Sequence, residues 1–201
     1  MTPMTTPTNS LPAHFESVGL DKAYRLLNHG PTVLVSATDQ GVTNVMAAAW
    51  SMPLDFSPPK VAVVIDKATR TRALVEGSGQ FVLNIPAKSL AAQVLGVGTD
   101  SAMTMSDKLA HHDIEIFSAP SHTQPLVHGC VGWLQCRVLS EPHNQQQYDL
   151  FLGEVTAAWS DPRVFCNGHW EFEKAPDTLR TLHYVAGGQF YAIGDSIKVA
   201  G

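Results

Sequence analysis

The chain is poor in three things, and each absence narrows the field. Its 201 residues hold only three cysteines, Cys130, Cys136 and Cys166, with no CxxC pair and an odd count, so neither a zinc cage nor a disulfide framework is expected. Charge is sparse as well: 13 Lys and Arg stand against 18 Asp and Glu, leaving a net charge of −5. No basic stripe of the kind that grips nucleic acid or an anionic membrane is apparent, and neither partner is expected. Long hydrophobic runs are missing too. "VAVVI", Val61 to Ile65, is far shorter than the roughly 20 residues a membrane helix needs, and the first residues have no apolar signal core. These features predict a cytoplasmic protein whose partners are small molecules or copies of itself.

What is present fits one globular domain. Residues 1–17, rich in Thr and Pro, read as a flexible tail, and residues 18–201 as the folded domain. "VGLDKAYRLLNHG" reads as a short amphipathic helix. "TVLVSATDQGVTNVMAAAW" is predicted as strand, turn and strand, ended beyond Trp50 by the prolines Pro58 and Pro59. "KVAVVI" follows as an apolar strand. A helix capped by Thr69 or Thr71 is expected to end at Gly77, before the strand "QFVLNIP". "KSLAAQVLGVG" reads as a second helix, "TDSAMTMSDK" and "HNQQQ" as loops. "HDIEIF", "GCVGWLQCRV" and "YDLFLGEVTAAW" read as strands. The even spacing of Cys130 and Cys136 predicts that both face one side of their strand, as small buried hydrophobes. Many strands in succession with few short helices point to a mainly β fold, an antiparallel barrel with peripheral helices.

Two stretches could hold a ligand. "DKATRTR", Asp66 to Arg72, gathers Lys67, Arg70 and Arg72 with the hydroxyls of Thr69 and Thr71 at a helix start, where free N–H groups and the dipole favour an anion. It reads either as a phosphate cradle or as a capped helix start with solvated basic side chains. "NVMAAAW" sets three alanines where strands usually carry bulky residues. Either a flat aromatic ligand approaches the backbone there, or a helix packs closely on it. One apolar strand separates the two stretches, so a ligand with a flat head and a phosphate tail could span both. Flavin mononucleotide has that shape. His111, His112 and Asp113 invite a metal reading, but adjacent residues diverge on a strand and do not share a helix face. They read as surface loop, and no metal is expected.

The succession Thr43 to Pro86, followed by "GTDSAMTMSDKLA", "VHGCVGWLQCRV" and "DLFLGEVTAAW", resembles the flavin reductase-like family of FMN-binding split barrels, including its flavoredoxin-type members. The resemblance implies a six-stranded Greek-key barrel that forms a homodimer and holds FMN near the subunit interface. Carried over, Asn44, Val45, Met46, Ala47, Ala48 and Trp50 would line the ring and ribityl chain. Asp66, Lys67, Thr69, Arg70 and Thr71 would hold the ribityl and phosphate. Asn84 with Ser106, Asp107 and Lys108 would complete the surround, and His183 and Tyr191 would approach the nicotinamide side. Where many members carry a histidine before the Gly-Glu-Val strand, this chain has Tyr148 and Asp149, so no role passes from that histidine. The implied activity is hydride transfer from NADH or NADPH to flavin, and electron transfer onward to free flavin, oxygen or a small acceptor. That chemistry requires no catalytic protein residue. The alternatives are a flavoredoxin-type electron carrier reduced by a protein partner, with a possible electron-acceptor protein downstream, and a flavin-free binding module of the same fold.

Overall fold

A computed structural model of the chain describes Pro12 and residues 14–199. Most of the stretch expected as a tail therefore lies outside the described residues, but its end does not. Glu16–Ser17 (β1) is a short strand, and the Phe15 ring stacks on Trp159 with centroids 5.4 Å apart.

The first long hairpin forms where expected. Val33–Asp39 (β2) and Val42–Ala48 (β3) pair antiparallel. The turn residues Gln40 and Gly41 have φ of 47° and 79°, the doubly positive conformation whose twist suits a two-residue hairpin. Next comes a strand that was not foreseen: Ser51–Phe56 (β4) pairs with Pro59–Val64 (β5), so the double proline belongs to a hairpin and does not end the sheet. β4 lies at the sheet's edge, where Pro53 and its missing N–H are tolerated.

Gln80–Pro86 (β6), Cys130–Leu139 (β9) and Leu150–Ser160 (β10) complete the main sheet, with Ile116–Phe117 (β7) and Leu126–Val127 (β8) as a small side ladder. The order is β3-β2-β6-β9-β10-β5-β4, every pairing antiparallel, and β1 joins the far end of β10. This is eight strands, against the six that the family resemblance implies. The two strands at the ends of that path, β3 and β4, are neighbours in the chain, joined by Ala49 and Trp50 alone. The sheet must therefore roll to bring its two ends to that corner, beside which Val64 N–H donates to the Trp50 carbonyl at 3.0 Å, one rung beyond the β4–β5 ladder.

Rolling gives the sheet two apolar faces. The inner one gathers Phe81, Leu83, Val131, Leu134 and Phe151, closed by Leu26 and Leu27 from the segment of Leu20–Ala23 (α1) and the turn after it. The outer one holds Leu34, Val82 and Trp133 beneath Ala91–Thr99 (α3) and the β7–β8 ladder. Cys130 joins the outer face and Cys136 the inner, against the expectation of one shared face. The register shifts where Ile85 and Pro86 oppose Gly132 and Cys130, and that irregularity reverses the alternation.

Arg70–Ser78 (α2) is capped by Thr69, whose Oγ1 accepts from Arg72 N–H at 3.3 Å, and it ends at the left-handed Gly79 and not at Gly77. The polar "HNQQQ" is not a loop but part of a helix, Pro142–Tyr148 (α5), whose lack of apolar periodicity hid it. Lys108–His111 (α4) is a single turn.

The last hairpin, Leu182–Ala186 (β13) and Gln189–Ala192 (β14), follows two short strands, Phe165–Cys166 (β11) and His169–Trp170 (β12). It is moored by Thr32, whose N–H donates to Leu182 O and whose Oγ1 accepts from Tyr184 N–H, both at 2.7 Å. Beneath this mooring His29 Nε2 lies 2.8 Å from Thr181 Oγ1, with its ring edge-on to Trp170 at 5.2 Å and 5.7 Å from His183. Burial, aided by His183, pushes the His29 imidazole down to about 4.

Two predictions follow from this packing. A Cβ on Gly153 in β10 would lie 2.6 Å from Phe81 Cζ and 3.0 Å from Cys136 Cβ, all within the inner core. Gly153→Ala should cost about 1–3 kcal/mol by overpacking, seen as a lower urea midpoint at unchanged slope; an unchanged midpoint would contradict this packing. For His29, folded and unfolded chains are both neutral above its ordinary value of 6.5. Acidification from 6.5 toward 4 protonates only the unfolded chain, so stability present at neutral pH falls across that window, by up to about 3 kcal/mol. Urea unfolding at pH 7.5 and 5 should show a smaller loss in His29→Gln, and equal losses in the two proteins would refute the assignment.

Candidate cofactor-binding site

Where the rolled edges meet, a cleft of about 570 Å³ opens, within the range of small-molecule sites. One wall is the end of β3, Met46 to Ala48, continued by Ala49 and Trp50. The opposite walls are Val94, Leu95, Gly98 and Thr99 of α3 and Tyr184, Val185 and Phe190 of the last hairpin. Thr32 and Val64 also contribute, and Asp66 brings the cleft to the segment that starts α2.

The alanines meet a packed helix at one residue and open space at the next two. Ala47 lies under α3, close enough that a Cβ on Gly98 would come within 3.1 Å of its own. Ala48 and Ala49 leave the strand end open to the cleft, with Trp50, 75% exposed, standing beside its mouth.

The α2 end is polar. Asp66 Oδ1 accepts from Ala68 N–H at 2.7 Å, and its carbonyl accepts from Thr69 N–H and Oγ1, which shapes the turn into the helix. The amides of Arg70 and Thr71 lie in the first turn, where no intrahelical acceptor exists. Lys67 is exposed and Arg70 half-buried, and among the described residues neither forms a salt bridge. Thr71 is fully buried; its Oγ1 accepts from Asn44 Nδ2 at 2.8 Å, while Asn44 Oδ1 is buried with no partner.

Arg72 departs from the expected cradle. Its guanidinium is buried on the other side of α2, bonded to Glu76 at 2.7 Å, Asp149 at 2.6 Å and the carbonyls of Ile65 and Gln145, and lies 4.8 Å over the Phe151 ring. Asp149 thus serves in this chain to hold Arg72.

Several expected residues lie outside the cleft lining: Asn44, Lys67, Thr69, Arg70 and Thr71 stand beyond its Asp66 end, and others lie elsewhere. Val45 is buried in the outer core. Asn84 has its side chain fully engaged: Nδ2 donates to Leu34 O and Ser36 Oγ, and Oδ1 accepts from Val127 N–H, each at 2.9 Å. Ser106 and Asp107 are exposed before α4, and Lys108 is buried, its ammonium pushed down to about 8 by burial against the pull of Asp100. His183 packs on His29, and Tyr191 is 60% exposed; their neighbours Tyr184, Val185 and Phe190 face the cleft instead. The α3 residues were not anticipated from sequence. Their available signal was the pair Gly96 and Gly98 inside a helix, which marks close approach of another group.

Comparison with known proteins identifies the family and the fold. A crystal structure described as an FMN-binding domain of a flavin reductases-like enzyme from Shewanella baltica superposes with a TM-score of 0.91 at 52% identity, covering 92% of this chain and 97% of that one. The Escherichia coli protein YddH, itself uncharacterized, is 41% identical over 188 residues, 92% of this chain and 98% of its own. Flavoredoxin of Desulfovibrio vulgaris, 22% identical with a TM-score of 0.72 over 85% of this chain and 90% of its own, shares the fold. No helix among the described residues is long and apolar enough to cross a membrane. The model of the flavin reductase-like domain matches residues 25–174, three quarters of the sequence, and the chain belongs to that family.

Proposed function

We propose that the chain binds FMN in this cleft and works as an oxidoreductase, taking hydride from NADH or NADPH and passing electrons to free flavin, oxygen or a small acceptor. The observation that carries the proposal is an open, small-residue strand end in a cleft that reaches Asp66, the residue before the cationic segment that starts α2. A flat ring has room against Met46, Ala47 and Ala48, and a phosphate has Lys67, Arg70 and the free amides of the first turn of α2. The donor set therefore fits FMN, and the unpartnered Asn44 Oδ1 offers an acceptor nearby. Bound FMN would supply the hydride-accepting chemistry, so the protein's part is to position and to exclude water. Val94, Leu95 and Phe190 make the facing wall apolar, which limits water beside a bound ring. Trp50 and Tyr184, both partly exposed, stand at the side from which a second ring could approach.

The proposal includes a homodimer. On β4, Met52, Leu54 and Phe56 are 53%, 46% and 67% exposed, and they continue from Trp50 along one face of an edge strand. Such a row is a contact surface or an aggregation hazard, and it runs directly from the mouth of the cleft.

Three measurements test this reading. Anaerobic stopped-flow of FMN-reconstituted protein should show rapid flavin bleaching by NADH or NADPH. Stable FMN without bleaching would instead support an electron carrier reduced by a protein partner, and failure to take up FMN would leave a flavin-free binding module. Lys67→Ala/Arg70→Ala should weaken FMN binding at least about tenfold with the melting temperature nearly unchanged, since each lost charge-assisted bond is worth about 1.5–3 kcal/mol; wild-type affinity would refute the phosphate site. In sedimentation, wild type should be a dimer and Met52→Glu/Phe56→Glu a monomer. A monomeric wild type at tens of micromolar would overturn the dimer.

A further inference from the structure

Beyond the cleft, the end of α3 meets α4 at a corner rich in metal-ligating groups. Asp100 is the residue after the last position of α3, His111 the last residue of α4, and His112 the residue that caps it. One ligand atom from each of the three lies within 4.8 Å of the others, and His112 Nε2 is 2.8 Å from Asp100 Oδ2. The two rings meet edge to face with centroids 4.8 Å apart.

The histidine pair, expected as surface loop and poorly placed to grip one ion, lies instead at the end of a helical turn. The divergence of neighbours holds on a regular helix or strand, and His112 is on neither: at φ −101° and ψ 16° the chain has already left α4. The third group is Asp100 from another helix and not the adjacent Asp113, which has a φ of 50° and lies outside the cluster.

We propose that Asp100, His111 and His112 form a binding site for a divalent transition metal of the Zn²⁺ class, with the fourth position left to water. A mixed imidazole and carboxylate set suits borderline metals such as Zn²⁺ and disfavours Mg²⁺ and Ca²⁺, which take all-oxygen sites. In a tetrahedral site with ligand arms of about 2.0–2.2 Å, neighbouring donor atoms stand about 3.3 Å apart. The Asp100–His112 pair is within about half an ångström of that spacing, and the exposed His111 ring can turn inward to complete the set. The sequence also makes room for the arrangement. A Cβ on Gly96 would fall on the His112 ring, so α3 carries glycine in its interior, at about 1 kcal/mol relative to alanine, where the ring lies.

The site is separate from the cleft but touches its wall. Thr99, which lines the cleft, directly precedes Asp100, so a metal at this corner would tie the C-terminal end of α3 to α4 and stiffen that wall. With no redox chemistry of its own, Zn²⁺ would act there as a clip.

Calorimetric titration of the metal-free full chain with Zn²⁺, without added flavin, tests the proposal. Expected are one ion per chain with micromolar or tighter affinity, a visible absorption spectrum of tetrahedral type with Co²⁺, and a Zn²⁺-dependent rise in melting temperature. His111→Gln changes an exposed ring and should leave the melting temperature of the metal-free protein unaltered while weakening Zn²⁺ binding at least tenfold; Asp100→Asn should weaken it comparably. Binding by wild type no tighter than by His111→Gln/His112→Gln, which leaves the chain's other histidines in place, would overturn the proposal. So would a His111→Gln protein that binds Zn²⁺ as wild type does.

Discussion

Two residues, Ala49 and Trp50, impose the constraint on which the architecture rests. They join the strands at opposite ends of the hydrogen-bonded path, so the sheet has no choice but to roll. An inner core then forms because the rolled strands converge on Phe81 and Phe151, and the cleft forms because the corner is lined by Ala47, Ala48 and Ala49, too small to fill it, with Trp50 exposed at its mouth. A link many residues longer would release the edges and with them the geometry of the cleft. Trp50 and Val64, joined by the hydrogen bond that extends the β4–β5 ladder, both line the cleft.

The charges around α2 divide in a way that supports this arrangement. Of three cations within six residues, Arg72 is turned inward and held by two carboxylates and two carbonyls, while Lys67 is exposed and Arg70 half-buried, neither in a salt bridge among the described residues. A buried guanidinium with a full set of partners fixes the rotation of a short helix far better than its modest apolar stripe could. Fixing that rotation also fixes where the first-turn amides point. The inward arginine and the outward pair are thus complementary, one holding the helix and the other presenting charge at its start.

Local signals of the sequence carry part of this fold, and the rest depends on long-range context. The β2–β3 hairpin, β5, α2 and β6 were legible because turn residues, a cap and alternating apolar residues all agreed. β4 was hidden by Pro53 and the double proline, which a sheet edge tolerates but a general reading penalises. α5 was hidden because its residues are polar throughout, and the opposite facing of Cys130 and Cys136 depends on a register shift that no spacing reveals. The strand end and helix start of the cleft were found by composition, small residues and clustered cations. The α3 and hairpin walls come from chain segments about 50 and 140 residues away from that strand, and only folding brings them there. Asn84 was a reasonable candidate as a polar residue in an apolar strand, yet its hydrogen bonds serve the sheet and the β8 segment.

The last hairpin has a different relation to the rest. Its two strands pair only with one another, it is moored by Thr32 at its root, and it begins after residue 174, past the part of the chain that the family's model matches. One wall of the cleft is therefore modular. Tyr184 and Val185, both exposed, can be exchanged without disturbing a rung of the main sheet, whereas Phe190 also packs on the outer core, so the shape of this wall and the stability of the scaffold are coupled at that one ring.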